Sequence, residues 1–196
     1  DGYVKINNVT FVGTNINANA NNVSFVKNSF SGSTISPTHC VNSQSMYFEA
    51  TSNEVTNYTS HSELWLIDAS NSVMLSSNAF ENCHVRGQYS LFAMRSSGIA
   101  IKDNILSNVT ARAIFQFLGS INSINFIRNA IIDPHVQFYV MTSSSYASVA
   151  DGTLKIGPNF WSTTSFEELN LGAFDSSYDS SLATIEFLSL FIDPRM

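Results

Sequence analysis

Apolar and polar residues alternate along this chain in short runs that return about every 25 residues. The clearest form is apolar-x-apolar-x-x-Asn-x-apolar. Its copies are residues 23–30 (VSFVKNSF), 48–55 (FEATSNEV), 73–80 (VMLSSNAF), 99–106 (IAIKDNIL), 124–131 (INFIRNAI) and 154–161 (LKIGPNFW). The asparagines are Asn28, Asn53, Asn78, Asn104, Asn129 and Asn159, at spacings of 25, 25, 26, 25 and 30. All 18 flanking positions are apolar in a chain that is 44% hydrophobic. Coincidence would produce that on the order of once in a million. The intervening positions are mostly polar, so each run alternates with the two-residue period of a strand. The 3.6-residue period of a helix is absent from these windows.

The asparagine marks a bend, where a residue with positive φ or a local side-chain hydrogen bond is expected. Asparagines at equal positions can also bond from coil to coil as a ladder. Four residues later a second column holds Gly32, Asn57, Asn82, Asn108 and Asp133, all types that tolerate the left-handed region. A further apolar strand follows at 64–67, 91–94, 114–117 and 138–140. Short strands at a fixed period predict a stacked solenoid. The expectation is an all-β, right-handed parallel β-helix of six to seven coils, a rod of roughly 30 Å. Residues 1–161 would form the coils and 162–196 a cap of the same domain. This pattern resembles the pectin-lyase-like β-helix superfamily over nearly the whole chain.

Within this frame the first coil, carried by Val4, Ile6, Val9 and Phe11 with Asn7 or Asn8 at its bend, is short. Its open end would be an aggregation-prone edge, so an upstream segment or another chain is expected to cover it. Residues 31–45, with Pro37 and His39, read as an excursion lacking a clear third strand. Residues 141–152 read as a Ser-rich bulge. Thr164 and Ser165 each precede a glutamate by three residues (Glu167, Glu168), which predicts a helix over Phe166–Leu171 stopped by Gly172. A last apolar run, 182–192, would close the stack. Asn159-Phe160-Trp161, Asp175, Asp179, Leu182, Ile185 and Phe187 resemble the closing segment of β-helix domains in bark-beetle-type cell-surface proteins. Those domains read Asn-Tyr-Trp-Gly where this chain has Phe160 and Ser162. The resemblance implies an adhesive or junctional scaffold.

Composition narrows the partners. Only 12% of residues are charged and the net charge is −6, which excludes the basic footprint of a nucleic-acid binder. No apolar run is long enough for a membrane helix. The chain opens directly in β-type sequence at Tyr3, so it reads as a mature or excised piece of something longer. Sequons stand at Asn8, Asn22, Asn57 and Asn108. Asn57 and Asn108 also fall in the second corner column, where a turn-forming role competes with glycosylation. Cys40 and Cys83 belong to coils two apart, too distant for a disulfide unless a loop folds over.

Candidate chemistry is sparse. Asp133-Pro134-His135 resembles the Asp-Pro-His motif of mannuronan epimerases, which implies proton transfer at a sugar C5. Arg112 and Arg128 are the cations available to neutralise a uronate there. Asp133 is equally explained as a corner residue. Residues 65–68 (Trp65-Leu66-Ile67-Asp68) resemble a pectate-lyase strand, but Ala69 stands where that motif has histidine. Eight residues after the repeat asparagine lie Ser36, His61, Arg86, Arg112 and Gln137. In that column Arg86 and Arg112 would stack one coil apart, as solvated side chains or as a shallow site for an acidic glycan. The histidines and cysteines lack metal-ligand spacing, and no cofactor or metal is implied. The reading is an extracellular structural or adhesive module, secreted or at the cell surface, glycosylated, contacting neighbouring subunits or carbohydrate. The alternatives are a polysaccharide lyase or epimerase and, further off, a viral tailspike segment.

Overall fold

The computed structural model describes residues 2–32, 39–143 and 152–193. The chain forms a parallel β-solenoid of about five turns. Six short strands stack in one sheet in the order Ala130–Ile132, Ile105–Ser107, Ala79–Glu81, Glu54–Thr56, Ser29–Ser31, Thr10–Val12. The longer strands, among them Ile16–Val26, Val41–Thr51, Trp65–Ser76 and Thr110–Phe117, stack into a second sheet that wraps the other faces.

Alternation fills the interior. Ile6, Phe25, Ala50, Leu75, Ile101 and Phe126 pair rung to rung, and Ile156 is fully buried beyond them. Phe11, Phe30, Val55, Phe80, Leu106 and Ile131 form a second inward column from the short strands. The two columns meet at stacked and edge-to-face rings running through Phe30, Trp65, Phe80, Phe92, Phe115 and Phe126 to Trp161, with centroids 4.8–6.1 Å apart. Such pairs add to the area that they bury.

The repeat asparagines lie between the columns and are buried. Each donates its backbone N–H and its Nδ2 to the Oδ1 of the next, from Asn28 to Asn159, at 2.8–3.0 Å. Each Nδ2 also donates to a carbonyl of the preceding rung, as Asn78 does to Ala50. One asparagine therefore ties three rungs. At the first rung Val9 occupies this position, and its N–H ends the ladder on Asn28 Oδ1.

The bend itself corrects one expectation. Positive φ falls not on the asparagine but one residue earlier, at Asn8, Lys27, Ser52, Ser77, Asp103 and Arg128, with φ of 54–60°. The asparagine is freed from forming the turn and bonds the rungs. The second column does carry positive φ at Asn57, Asn82, Asn108 and Asp133. Gly32 is the exception: a Cβ there would meet the Asn57 carbonyl oxygen at 2.3 Å, so close approach selects glycine.

The count of six to seven coils is too high. In the last copy Pro158 occupies the position that needs positive φ, and its ring forbids it. The corner strand there shrinks to single bridges, Ala130 with Phe160 and Asn159 with Leu190. The excursion expected at 31–45 is also shorter. From Val41 onward it is strand, paired with Ile16–Val26 and Trp65–Ser76; residues 33–38, including Pro37, lie outside the described residues, as do 144–151 of the expected Ser-rich bulge. The helix spans Phe166–Leu171, with Ser165 accepting the Glu168 N–H as N-cap, and it buries Leu169. Gly172 ends it with φ of −84°; its bare Cα makes room for the Tyr139 ring, 2.3 Å from where a Cβ would stand. Of the final apolar run only Thr184–Phe187 is strand, paired with Thr153–Ile156. Asp175 holds the connecting loop by accepting N–H bonds from Ser177 and Ile185.

Candidate functional site

Because the core takes alternate side chains, the others line up on the outside at the rung spacing of about 4.8 Å. Two surface regions stand out. The first is a polar strip. Asn17 pairs with Asn42, and Asn19 with Gln44. Gln44 continues to Asp68 and Asp68 to Arg95. Depressions of about 270 and 170 Å³ follow these residues. Arg95 and Asp68 form an exposed ion pair of 3.1 Å. Asp68, the last residue of the lyase-like strand, is therefore engaged with Arg95, and Trp65 from that strand is buried in the ring stack.

The second region is a cleft of about 340 Å³ that includes His84, Arg86, Gln88, Thr110, Arg112 and Gln137 in its lining. It exists because the rungs fall out of step. His84 pairs with Thr110, yet Ser90 pairs with Ala113, so residues 85–89 face only 111 and 112. Gly87, with φ of +79°, turns the chain out at this bulge. The Arg86 N–H donates to the Ser60 carbonyl and the Arg112 N–H to the Tyr89 carbonyl, each on the preceding rung, and both arginines line the cleft beside the bulge. Bulges of this kind re-aim side chains at a surface. The spacing of 26 between Asn78 and Asn104 is the one trace of it in the sequence, and one added residue does not reveal a three-residue mismatch.

The residues singled out for chemistry are spread over this surface. Asp133 sits in the second corner with φ of +47°, its N–H donated to Ser162 Oγ. His135 begins the strand His135–Thr142 and pairs with Thr110. Arg128 holds Asp103 through two bonds of 2.7 and 2.8 Å, which keep the Asp103 carboxyl below its usual value. Arg112 lines the cleft, and neither Asp133, His135 nor Arg128 lines it with Arg112. Among the described residues, no cluster of His, Cys, Asp and Glu could hold a metal.

The four sequons stand on the outside. Asn8, Asn57 and Asn108 are exposed, and Asn22 is half-buried between Tyr3 and Tyr47 on adjacent rungs. Asn108 donates its Nδ2 to Asn82 Oδ1 at 2.7 Å, whereas Asn57 accepts from Asn82 through Oδ1. The turn role therefore engages the Asn108 nitrogen that would carry a glycan, and the Asn57 oxygen instead. Both cysteines are free and buried. Burial pushes the Cys83 thiol up to about 12 and raises Cys40 further, with the neighbouring Cys83 adding to the latter. No helix among the described residues is long and apolar enough to cross a membrane. Comparison with protein-family models, curated proteins and solved structures gives no match.

Proposed function

We propose that this chain is an extracellular structural or adhesive module of the pectin-lyase-like β-helix type, a spacer within a larger surface assembly whose outer face contacts carbohydrate. The polar strip carries the reading. Asn17, Asn42, Asn19 and Gln44 repeat amide groups across successive rungs, ending at Asp68 and Arg95. An amide offers both a donor and an acceptor, which matches the paired hydroxyls of a saccharide. The internal ladder supplies the rigidity that a spacer needs. The surface sequons support a secreted, glycosylated protein. Among the described residues Tyr3–Asn7 and Thr10–Val12 each pair on one side only, which supports a neighbouring segment or subunit stacking there.

A lyase or epimerase would need Asp133, His135 and a free cation around one sugar ring. The engagement of Arg128 with Asp103 favours the scaffold. The test is retention of neutral and acidic oligosaccharides on beads coated with the intact chain, followed by mass and ultraviolet spectra of what is released. Retention with the oligosaccharide unchanged supports the module. An unsaturated uronate product that disappears in His135→Ala would overturn it in favour of the enzyme.

A further inference from the structure

The geometry points to the cleft between Arg86 and Arg112 as a binding site for a sulfate ester on a saccharide, an inference that rests on the carbohydrate-contact reading above and gives it a ligand class. Among the described residues there are four arginines. Arg95 and Arg128 are paired with Asp68 and Asp103. Arg86 and Arg112 form no ion pair with any described residue, and these two share one cleft whose lining contains no carboxylate. In a chain of net charge −6 the two guanidinium groups are brought to neighbouring rungs without a counter-charge among the described residues that line the cleft. Like charges so placed repel unless an anion lies between them.

A second observation points the same way. The Arg112 Nε is buried and has no hydrogen-bond partner. A buried donor left unmet is costly, and a turn of the Arg112 side chain toward an anion in the cleft would relieve it with a charge-assisted bond. The bulge at Gly87 makes the space, and the space is large enough for a single sugar unit.

The donor set separates sulfate from carboxylate. One guanidinium satisfies both oxygens of a carboxylate with its parallel N–H groups. Here two guanidinium groups on different rungs, with the Thr110 hydroxyl and the Gln88 and Gln137 amides, supply donors from several directions. A sulfate ester, with three free oxygens in a pyramid, uses more of them. The amides and the hydroxyl also serve the sugar hydroxyls beside the ester, which an acidic peptide lacks.

The test is calorimetric titration of the intact chain with a heparin-derived tetrasaccharide, its desulfated counterpart that keeps the carboxylates, sodium sulfate, and an octaglutamate peptide. Arg86 and Gln88 are exposed, so Arg86→Gln and Gln88→Glu should remain folded and melt no lower than the parent chain, since each relieves the repulsion between the guanidinium groups. The sulfated tetrasaccharide should bind, the desulfated one about tenfold or more weakly, and each variant should lose about tenfold, Gln88→Glu by placing a carboxylate beside the guanidinium groups. Equal binding of the desulfated sugar or of octaglutamate would overturn the assignment, as would unaltered affinity in both variants. If none of the probes binds, the cleft assignment fails. The polar strip is then judged separately, by whether neutral oligosaccharides are still retained on the coated beads.

Discussion

Replacing Asn78 by alanine removes four hydrogen bonds from the interior of the stack. Asn78 donates Nδ2 to the Ala50 carbonyl and to Asn104 Oδ1, each at 2.9 Å. Its Oδ1 accepts from the Asn53 N–H at 3.0 Å and from Asn53 Nδ2 at 2.9 Å. After truncation Asn53 Nδ2 keeps the Phe25 carbonyl, and Asn104 Oδ1 keeps the Asn78 N–H. The Asn53 backbone N–H keeps nothing, and it is buried. One orphaned donor costs about 1–3 kcal/mol and each of the three other lost bonds about 0.5–1.5, so the sum is about 2.5–7.5 kcal/mol. That is a large share of a typical total of about 5–15 kcal/mol. Asn82→Gly is the control. Asn82 is exposed, has φ of +53°, and makes two surface bonds of 3.3 and 2.7 Å in the outer column. Glycine keeps the turn, and the loss should stay below about 1 kcal/mol. Urea unfolding followed by both fluorescence and circular dichroism measures the two, and coincident transitions validate the comparison in a repeat protein. A loss below about 1 kcal/mol for Asn78→Ala, or one no larger than that of the control, would refute the ladder as a principal support.

Three further outcomes follow from particular residues. Cys40 and Cys83 have thiols raised above their unfolded values by burial, so the stability they contribute is intact below about pH 8.5 and is lost as pH rises above that toward 12. Each adds a slope of up to about 1.4 kcal/mol per pH unit, which the Cys40→Ala/Cys83→Ala double variant should remove in alkaline unfolding curves. Ser77 holds φ of +56°, so Ser77→Asn should stabilise the fold by about 0.5–1 kcal/mol, read as a higher unfolding midpoint, and Ser77→Val should lower the midpoint. Ser43 is fully buried with no partner for its hydroxyl; Ser43→Ala should be neutral or stabilising by about 1 kcal/mol, and a clear loss would show that the hydroxyl is bonded.

The rung repeat was legible because burial imposes it at every coil. Inward residues such as Phe25, Leu75 and Phe126 must be apolar, and the ladder position must be asparagine to reach both neighbouring rungs. The turn residue was not legible. Lys27, Ser52, Ser77, Asp103 and Arg128 share a backbone angle but no side-chain type, since their side chains point to solvent and accept almost any chemistry. The early end of the regular stack was written in Pro158, which stands at the one corner position where its ring is incompatible. For the surface, the eighth-residue column correctly put Arg86 and Arg112 on neighbouring rungs. The cleft between them depends on a mismatch of register, a property of two strands together that neither strand shows alone.

The account is tested most directly by following a sulfated tetrasaccharide by nuclear magnetic resonance in the presence of the intact chain. Saturation should transfer from the protein to the protons beside the sulfate ester, and the saccharide spectrum should remain unchanged with time. Absent transfer both to this saccharide and to a neutral oligosaccharide, or the growth of unsaturated or C5-inverted uronate signals, would contradict a module that holds carbohydrate without transforming it.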